Sequence, residues 1–188
     1  MIHFPGRTPF QNYLTGRQKF LCRADIVLKE ASSIEQIVHI CNQPLIYQIL
    51  FQARFNGKPY TQDDARQFLT WARQGWSESS HFVFLMMTEN GDIVGAMDIK
   101  SADLEAAEIG YWASADHSGN TTNAVSALMR AASAAGFRRF IAYVRKSNEK
   151  SQRVLLRAGF SVAEALPERE GFQGYACRLD APERADMV

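Results

Sequence analysis

Hydrophobic positions along the chain switch between two periods, and the switches mark its elements. The apolar runs Phe82-Val83-Phe84-Leu85-Met86-Met87 and Ile93-Val94-Gly95-Ala96-Met97-Asp98-Ile99 are joined through Glu89-Asn90-Gly91-Asp92. Asn-Gly between such runs predicts a β-hairpin, because both residues accept positive φ. Ala107 to Trp112 reads as a third strand, and Phe137 to Val144, apolar throughout, as a strand buried on both faces. Helical spacing appears three times. Thr61-Gln62-Asp63-Asp64 opens a helix whose stripe is Ala65, Phe68, Leu69, Ala72 and Trp76, with acidic residues where the helix dipole favours them. Phe68 and Trp71 are expected in the core. A second helix starts at Thr121 or Thr122, presents Val125, Leu128, Ala132 and Ala135 inward, and stops at Gly136. The third follows Asn148, a side-chain cap, carries Val154, Leu155 and Ala158, and ends at Gly159.

Toward the N-terminus the pattern is weaker. Pro5, Gly6, Pro9 and Gly16 predict an irregular arm over residues 1–22, and Ala24 to Ala31 a first strand with Ile26 and Leu28 on one face. Ser32 or Ser33 is expected to cap a helix bearing Ile34, Ile37, Val38 and Cys41 that ends before Pro44, with a short helix over Leu45–Phe51. Ser161–Ala165 and Gly174–Leu179 read as closing strands around a charged loop at Pro167–Gly171. There is no internal repeat or linker, and 188 residues predict one domain spanning 1–188.

Composition narrows the function. A net charge of +1 gives no electrostatic case for nucleic-acid or membrane binding. Cys22, Cys41 and Cys177 are scattered, as are His3, His39, His81 and His117, so neither a disulfide framework nor a metal constellation is expected. The first residues lack a signal-peptide pattern and no apolar run is long enough to span a membrane, so the expected location is cytoplasmic.

Two blocks carry a family likeness. Ser147-Asn148-Glu149-Lys150-Ser151-Gln152-Arg153-Val154-Leu155-Leu156-Arg157-Ala158-Gly159-Phe160 resembles the C-terminal motif of the GNAT superfamily of N-acetyltransferases, above all its RimJ/RimL-like branch. Ala107-Glu108-Ile109-Gly110-Tyr111-Trp112, after the Asn90-Gly91 hairpin and before a polar loop and long helix, resembles the family's central strand. The likeness runs from about Ile26 to Leu179. It implies an α/β fold: a mixed sheet of six or seven strands, antiparallel over the first part, with Glu108–Ala113 and Phe137–Val144 parallel and splayed, and helices on both faces.

The resemblance also implies transfer of an acetyl group from acetyl-CoA to a primary amine, by direct attack in a ternary complex without a metal. The acceptor would be a protein N-terminus, a lysine or a small amine, and the protein a monomer or homodimer. The family's pyrophosphate loop falls on Ser118-Gly119-Asn120-Thr121-Thr122-Asn123, at a helix N-terminus whose backbone N–H groups suit phosphate. Only Gly119, at one of the loop's variable spacer positions, also matches the commonest family sequence; Ser118 replaces a basic residue, and Thr121 and Asn123 replace small ones. A catalytically weak or inactive binding module of the same fold is therefore the alternative. Backbone N–H groups near Trp112 and Ala113 would polarise the thioester, Asn148 would bond the pantetheine amide, and Ser151 would sit near the sulfur. No tyrosine matches the family's general acid. Glu108 shares a strand face with Gly110 and Trp112 and is the candidate base, with a raised pKa; a solvated strand carboxylate is the plainer reading. Tyr47, Phe51, Phe55 and Tyr60 are candidate acceptor contacts, and Lys150 and Arg153 candidates for the 3′-phosphate of coenzyme A.

Overall fold

The computed structural model describes residues 2–26 and 30–179. Eight strands form one sheet in the order β1-β2-β3-β4-β5-β6-β8-β7. They are β1 (Arg7–Gln11), β2 (Gln18–Arg23), β3 (Phe82–Thr88), β4 (Ile93–Ile99), β5 (Ala107–Ala113), β6 (Arg139–Arg145), β7 (Ser161–Val162) and β8 (Phe172–Arg178). The helices are α1 (Glu30–Cys41), α2 (Pro44–Ile46, continued by a π-turn at Tyr47–Phe51), α3 (Gln62–Glu78), α4 (Thr121–Ala134) and α5 (Glu149–Arg157). Strand alternation sends Val83, Leu85, Ile93 and Ala96 into one core with Ile37 of α1 and Leu69 of α3. The opposite face sends Phe84, Met97, Ile99 and Ile109 against Val125 and Leu128 of α4 and Leu155 of α5. Neighbouring strands are antiparallel except β5 and β6.

That exception positions the site. β5 and β6 pair only at Ala107↔Phe140 and Glu108↔Ile141. Past Glu108, β5 stays with β4 as far as Ala113, while β6 follows β8. A wedge-shaped gap therefore opens in mid-sheet. The connection between the two strands runs through α4, as parallel neighbours require.

Several sequence expectations are corrected. The arm expected over residues 1–22 contains a hairpin: β1 and β2 extend the sheet, and Phe4, Phe10 and Leu21 are buried. Pro9 was read as a breaker, but an edge strand tolerates proline because its outer N–H has no ladder partner to lose. Sheet strands thus number eight, not six or seven. The strand expected over 24–31 is absent at its ends: Ala24–Ile26 form a 3-10 turn and Glu30 already begins α1, while Leu28 lies outside the described residues. Ser32 and Ser33 are inside α1 rather than at its cap. In the β3–β4 hairpin Gly91 has φ +91°, but Asn90 is not left-handed. Phe68 is only half-buried and Trp71 is 40% exposed, because their side of α3 faces a cavity rather than the core. Thr61 does cap α3 in a reciprocal box with Asp64. Among the described residues no helix is long and apolar enough to cross a membrane.

Candidate active site

The loop Ser118–Asn123 enters α4 through Gly119, at φ +86°. A Cβ there would stand 2.8 Å from Leu14 Cγ and 2.9 Å from Asn12 Oδ1, so both conformation and packing demand glycine. Thr121 is the first residue of α4 and needs no left-handed conformation. Its β-branch is therefore not strained and matters only as bulk beside a ligand. Asn120 occupies the cap position without capping the helix, which leaves the first-turn N–H groups of α4 without a side-chain partner. Such a helix start suits phosphate.

The N-terminal hairpin props this loop. Asn12 Nδ2 donates to Ser118 O at 2.8 Å and to Asn120 Oδ1 at 2.7 Å. Tyr13 N donates to Gly119 O at 2.7 Å, and Asn12 Oδ1 accepts from the N–H groups of Leu14 and Thr15. Two asparagines of the expected cofactor loop have their side-chain donors committed elsewhere. Asn120 is buried, with its Nδ2 on His117 O, and Asn123 Nδ2 is bonded to Gln11 O. The Ser118 hydroxyl turns back to Ala115 O at 3.3 Å. Thr121, Thr122 and the backbone N–H groups remain.

Inside the gap, ladder phase decides which amides are free. Ser114 N bonds to Val94 O and Lys100 N to Glu108 O. With the register Ala96↔Trp112 and Asp98↔Gly110, the amides of Gly110 and Trp112 face β4. Those of Tyr111 and Ala113 point the other way, into the gap. Of the two amides expected to polarise a carbonyl, Ala113 is so placed and Trp112 is not; Tyr111 takes its place. Across the gap Asn148 caps α5, its Oδ1 accepting from Ser151 N at 3.2 Å. The Tyr111 hydroxyl meets Ser151 Oγ at 2.6 Å and Ser151 O at 3.2 Å. Burial pushes the Tyr111 phenol up to about 12, against the lowering effect of its bond to Ser151. It stays protonated, and in the Tyr111–Ser151 pair either hydroxyl can donate to the other. Arg153 is paired with Glu149 at 3.2 Å.

On the α3 face of the sheet, Glu108 does not have the raised pKa expected of it. Burial pushes its carboxyl up, but hydrogen bonds from Arg169 at 2.8 Å and Lys100 at 2.5 Å outweigh this and leave it below the usual carboxylate range. Two cations hold it charged, which makes it a weak base and a structural clasp. Asp98, one residue pair along the ladder, is the opposite case. It lies beside Gly110, where a Cβ would stand 2.5 Å from Asp98 Oδ1. Burial pushes its carboxyl up, only partly offset by Lys100. Asp98 and Gly110 line a cavity of about 560 Å³ between β4, β5, α3 and the segment after α2. Phe51, Phe55 and Tyr60 line it as expected of acceptor contacts, whereas the Tyr47 hydroxyl is turned to Lys58 O.

Residues 27–161 match the family model described as an acetyltransferase (GNAT) domain. The chain belongs to this family. Its fold likeness extends to the RimJ/RimL-like branch. Mycobacterium smegmatis RimJ, solved with a CoA-disulfide, superposes with a TM-score of 0.70 at 18% identity, covering 94% of this chain and 90% of that one. RimL, a ribosomal alpha-N-protein acetyltransferase in complex with coenzyme A, gives 0.68 at 20% identity, covering 87% and 95%. Vibrio cholerae spermidine N-acetyltransferase with CoA and spermine gives 0.66 at 13% identity, covering 87% and 96%. No curated protein matches the chain by sequence.

Within a GNAT domain acetyl-CoA is the co-substrate, and the residues present fit it: an uncapped helix start at Thr121, two free amides in the gap, and Ser151 backed by a buried phenol. Sequence reading missed Asp98 and Tyr111. A lone carboxylate in the apolar run Ile93–Ile99 was the available signal for Asp98. Tyr111 was correctly assigned to the face opposite Glu108, but the gap through the sheet makes that face part of the site. Asn12, which braces the loop, carried no signal at all.

Proposed function

We propose that the protein transfers an acetyl group from acetyl-CoA to a primary amine seated in the cavity against Asp98. The observation that supports this reading is the opening through the sheet. On the α3 side of β5 the cavity holds Asp98 beside Gly110, and on the α5 side of the same strand the Tyr111–Ser151 pair faces the gap. Thr121, Thr122 and the first-turn amides of α4 would hold the pyrophosphate, and Asn148 the pantetheine. When bound, acetyl-CoA supplies the activated acyl carbon. The amides of Tyr111 and Ala113 would donate to its carbonyl oxygen. Asp98, its carboxyl pushed above the usual carboxylate range by burial, takes a proton from the incoming ammonium, so that a neutral nitrogen forms the C–N bond. As the C–S bond breaks, Ser151, backed by Tyr111, would deliver a proton to the sulfur and be restored by the second proton that the acylated nitrogen sheds, while Asp98 returns its proton to water. Glu108, clasped by Lys100 and Arg169, fixes the neighbouring ladder rather than moving a proton.

The test combines binding and turnover. Acetyl-CoA at 100 times its dissociation constant should stabilise the fold by about 2.7 kcal/mol, and a thiol-release assay with primary amines should show acetyl-CoA consumption that depends on the amine. Binding without turnover of any amine would favour the binding-module alternative.

A further inference from the structure

The cavity's wall carries more information than its floor. Seven aromatic residues line it; apart from Tyr111, whose hydroxyl is on Ser151, they are Phe51, Phe55, Tyr60, Phe68, Trp71 and Trp112. These six form two contiguous groups. Phe51, Phe55 and Tyr60 pack with centroids 4.9–6.0 Å apart, and Phe68 bridges Trp71 at 6.2 Å and Trp112 at 6.0 Å. The second group is incompletely covered. Trp71 is held by stacking on His81 at 4.1 Å but is 40% exposed. Rings ordered on a cavity wall yet left in water offer flat apolar area to a ligand at little entropic cost.

Charges on the same wall are sorted by what already holds them. Asp64 accepts from Thr61 N and Thr61 Oγ in the α3 cap, and Lys100 is on Glu108. Two groups have neither an ion-pair partner nor a cap to satisfy: Asp98, at the strand ladder, and Arg54, whose guanidinium lies 5.5 Å over the Phe55 ring, with no carboxylate in ion-pair range among the described residues. One anion for one ammonium, one open cation, and aromatic rings between them make a consistent set. A polyamine's second ammonium would find only Asp64, already committed to the α3 cap, and would meet the cations Arg54 and Lys100 on the same wall.

We infer that the acceptor is a small monoamine bearing a planar aromatic group and an anionic substituent, the amine directed to Asp98, the ring to the aromatic wall and the anion to Arg54. This rests on the acetyltransferase reading and names its substrate class. The cavity, about 560 Å³, has the size of small-ligand sites, roughly 300–1,000 Å³.

The experiment is thiol release from acetyl-CoA with matched acceptors, alongside calorimetry with acetyl-CoA. The acceptors are 4-(2-aminoethyl)benzoate, 2-phenylethylamine, 5-aminopentanoate, spermidine and a serine-initiated hexapeptide. The aryl acid should have the highest kcat/KM, with loss of the anion or of the ring each costing about tenfold or more. Arg54→Ala, at an exposed position, should abolish the advantage of the aryl acid over 2-phenylethylamine, and Trp71→Ala should raise KM for both. Preferred turnover of spermidine, 5-aminopentanoate or the peptide would overturn the inference while leaving acetyl transfer intact. So would acetyl-CoA binding with no ring-bearing amine turned over. Failure to bind acetyl-CoA would overturn the acetyltransferase reading and this inference with it.

Discussion

Replacing Asp98 by asparagine tests the chemistry of the site with minimal change of shape. The carboxyl lies largely buried at the β4–β5 ladder, and burial disfavours its charged form. Asparagine therefore removes a desolvation cost, and the fold should persist with an unchanged or raised melting temperature. The kinetic effect should be large. A positioned general base is worth about 10²–10⁴ in rate, or about 3–5 kcal/mol of transition-state stabilisation. The pH profile is the sharper readout. Asp98 acts only when ionised, so wild-type kcat/KM should fall as pH drops through a pKa above the ordinary carboxylate range, and that acidic limb should vanish in Asp98→Asn. Glu108→Gln is the control. Its pKa is lowered, so its contribution to stability is present above the unfolded value and lost as pH falls through the folded one. With Lys100 and Arg169 at 45% and 49% exposure, that contribution is about 1 kcal/mol. Glu108→Gln should thus lower stability slightly and keep the acidic limb. The assay is steady-state thiol release between pH 5.5 and about 9, alongside thermal unfolding of both variants. A folded Asp98→Asn that keeps its rate within about threefold, or its acidic limb, would refute the assignment of the base.

Three further outcomes follow from the geometry. Tyr111→Phe and Ser151→Ala should each lower kcat about tenfold or more without moving the acidic limb, and the double variant should be no worse than either alone, because the two hydroxyls act as one unit; stopped-flow acetyl transfer checks this. Asn12→Ala removes the side chain that bonds Ser118 O, Asn120 Oδ1 and two hairpin amides. It should cost about 1–3 kcal/mol of stability, by denaturant unfolding, and weaken acetyl-CoA binding although Asn12 lies outside the cofactor loop. The pair Ser118→Arg and Thr121→Gly should tighten acetyl-CoA binding about tenfold by restoring a charge-assisted bond and removing bulk at the helix start; equal affinity in calorimetry would show that the threonine hydroxyls already compensate.

The sequence made the fold legible where periodicity and punctuation agreed. Asn90-Gly91, Thr61 with Asp64, and the helix from Asn148 to Gly159 each announce an element by local chemistry, and each is found. The N-terminal hairpin was illegible because Pro9 and Gly16 are read locally as breakers. Its stability is non-local, coming from β3 and from burial of Phe4, Phe10 and Leu21. The same limit governs the site. Ser151 and the loop after Ser118 sit in patterned stretches. Tyr111 reaches the gap only because β5 and β6 part beyond Glu108, and Asp98 lines the cavity only because Gly110 leaves room beside it, so the proposed roles of both rest on long-range geometry. Charge states are the least legible of all. Glu108 and Asp98 are both strand carboxylates, yet hydrogen bonds from Lys100 and from Arg169, sixty-one positions away, hold the first charged, while burial pushes the pKa of the second up.

Calorimetric titration of the wild-type protein with acetyl-CoA is the most direct test of the loop at Ser118–Asn123. The uncapped start of α4, braced by Asn12, should give one saturable site per chain, weakened by Asn12→Ala and tightened by Ser118→Arg with Thr121→Gly. A wild-type protein that is folded and gives no binding heat or thermal stabilisation with acetyl-CoA up to millimolar concentration would contradict it.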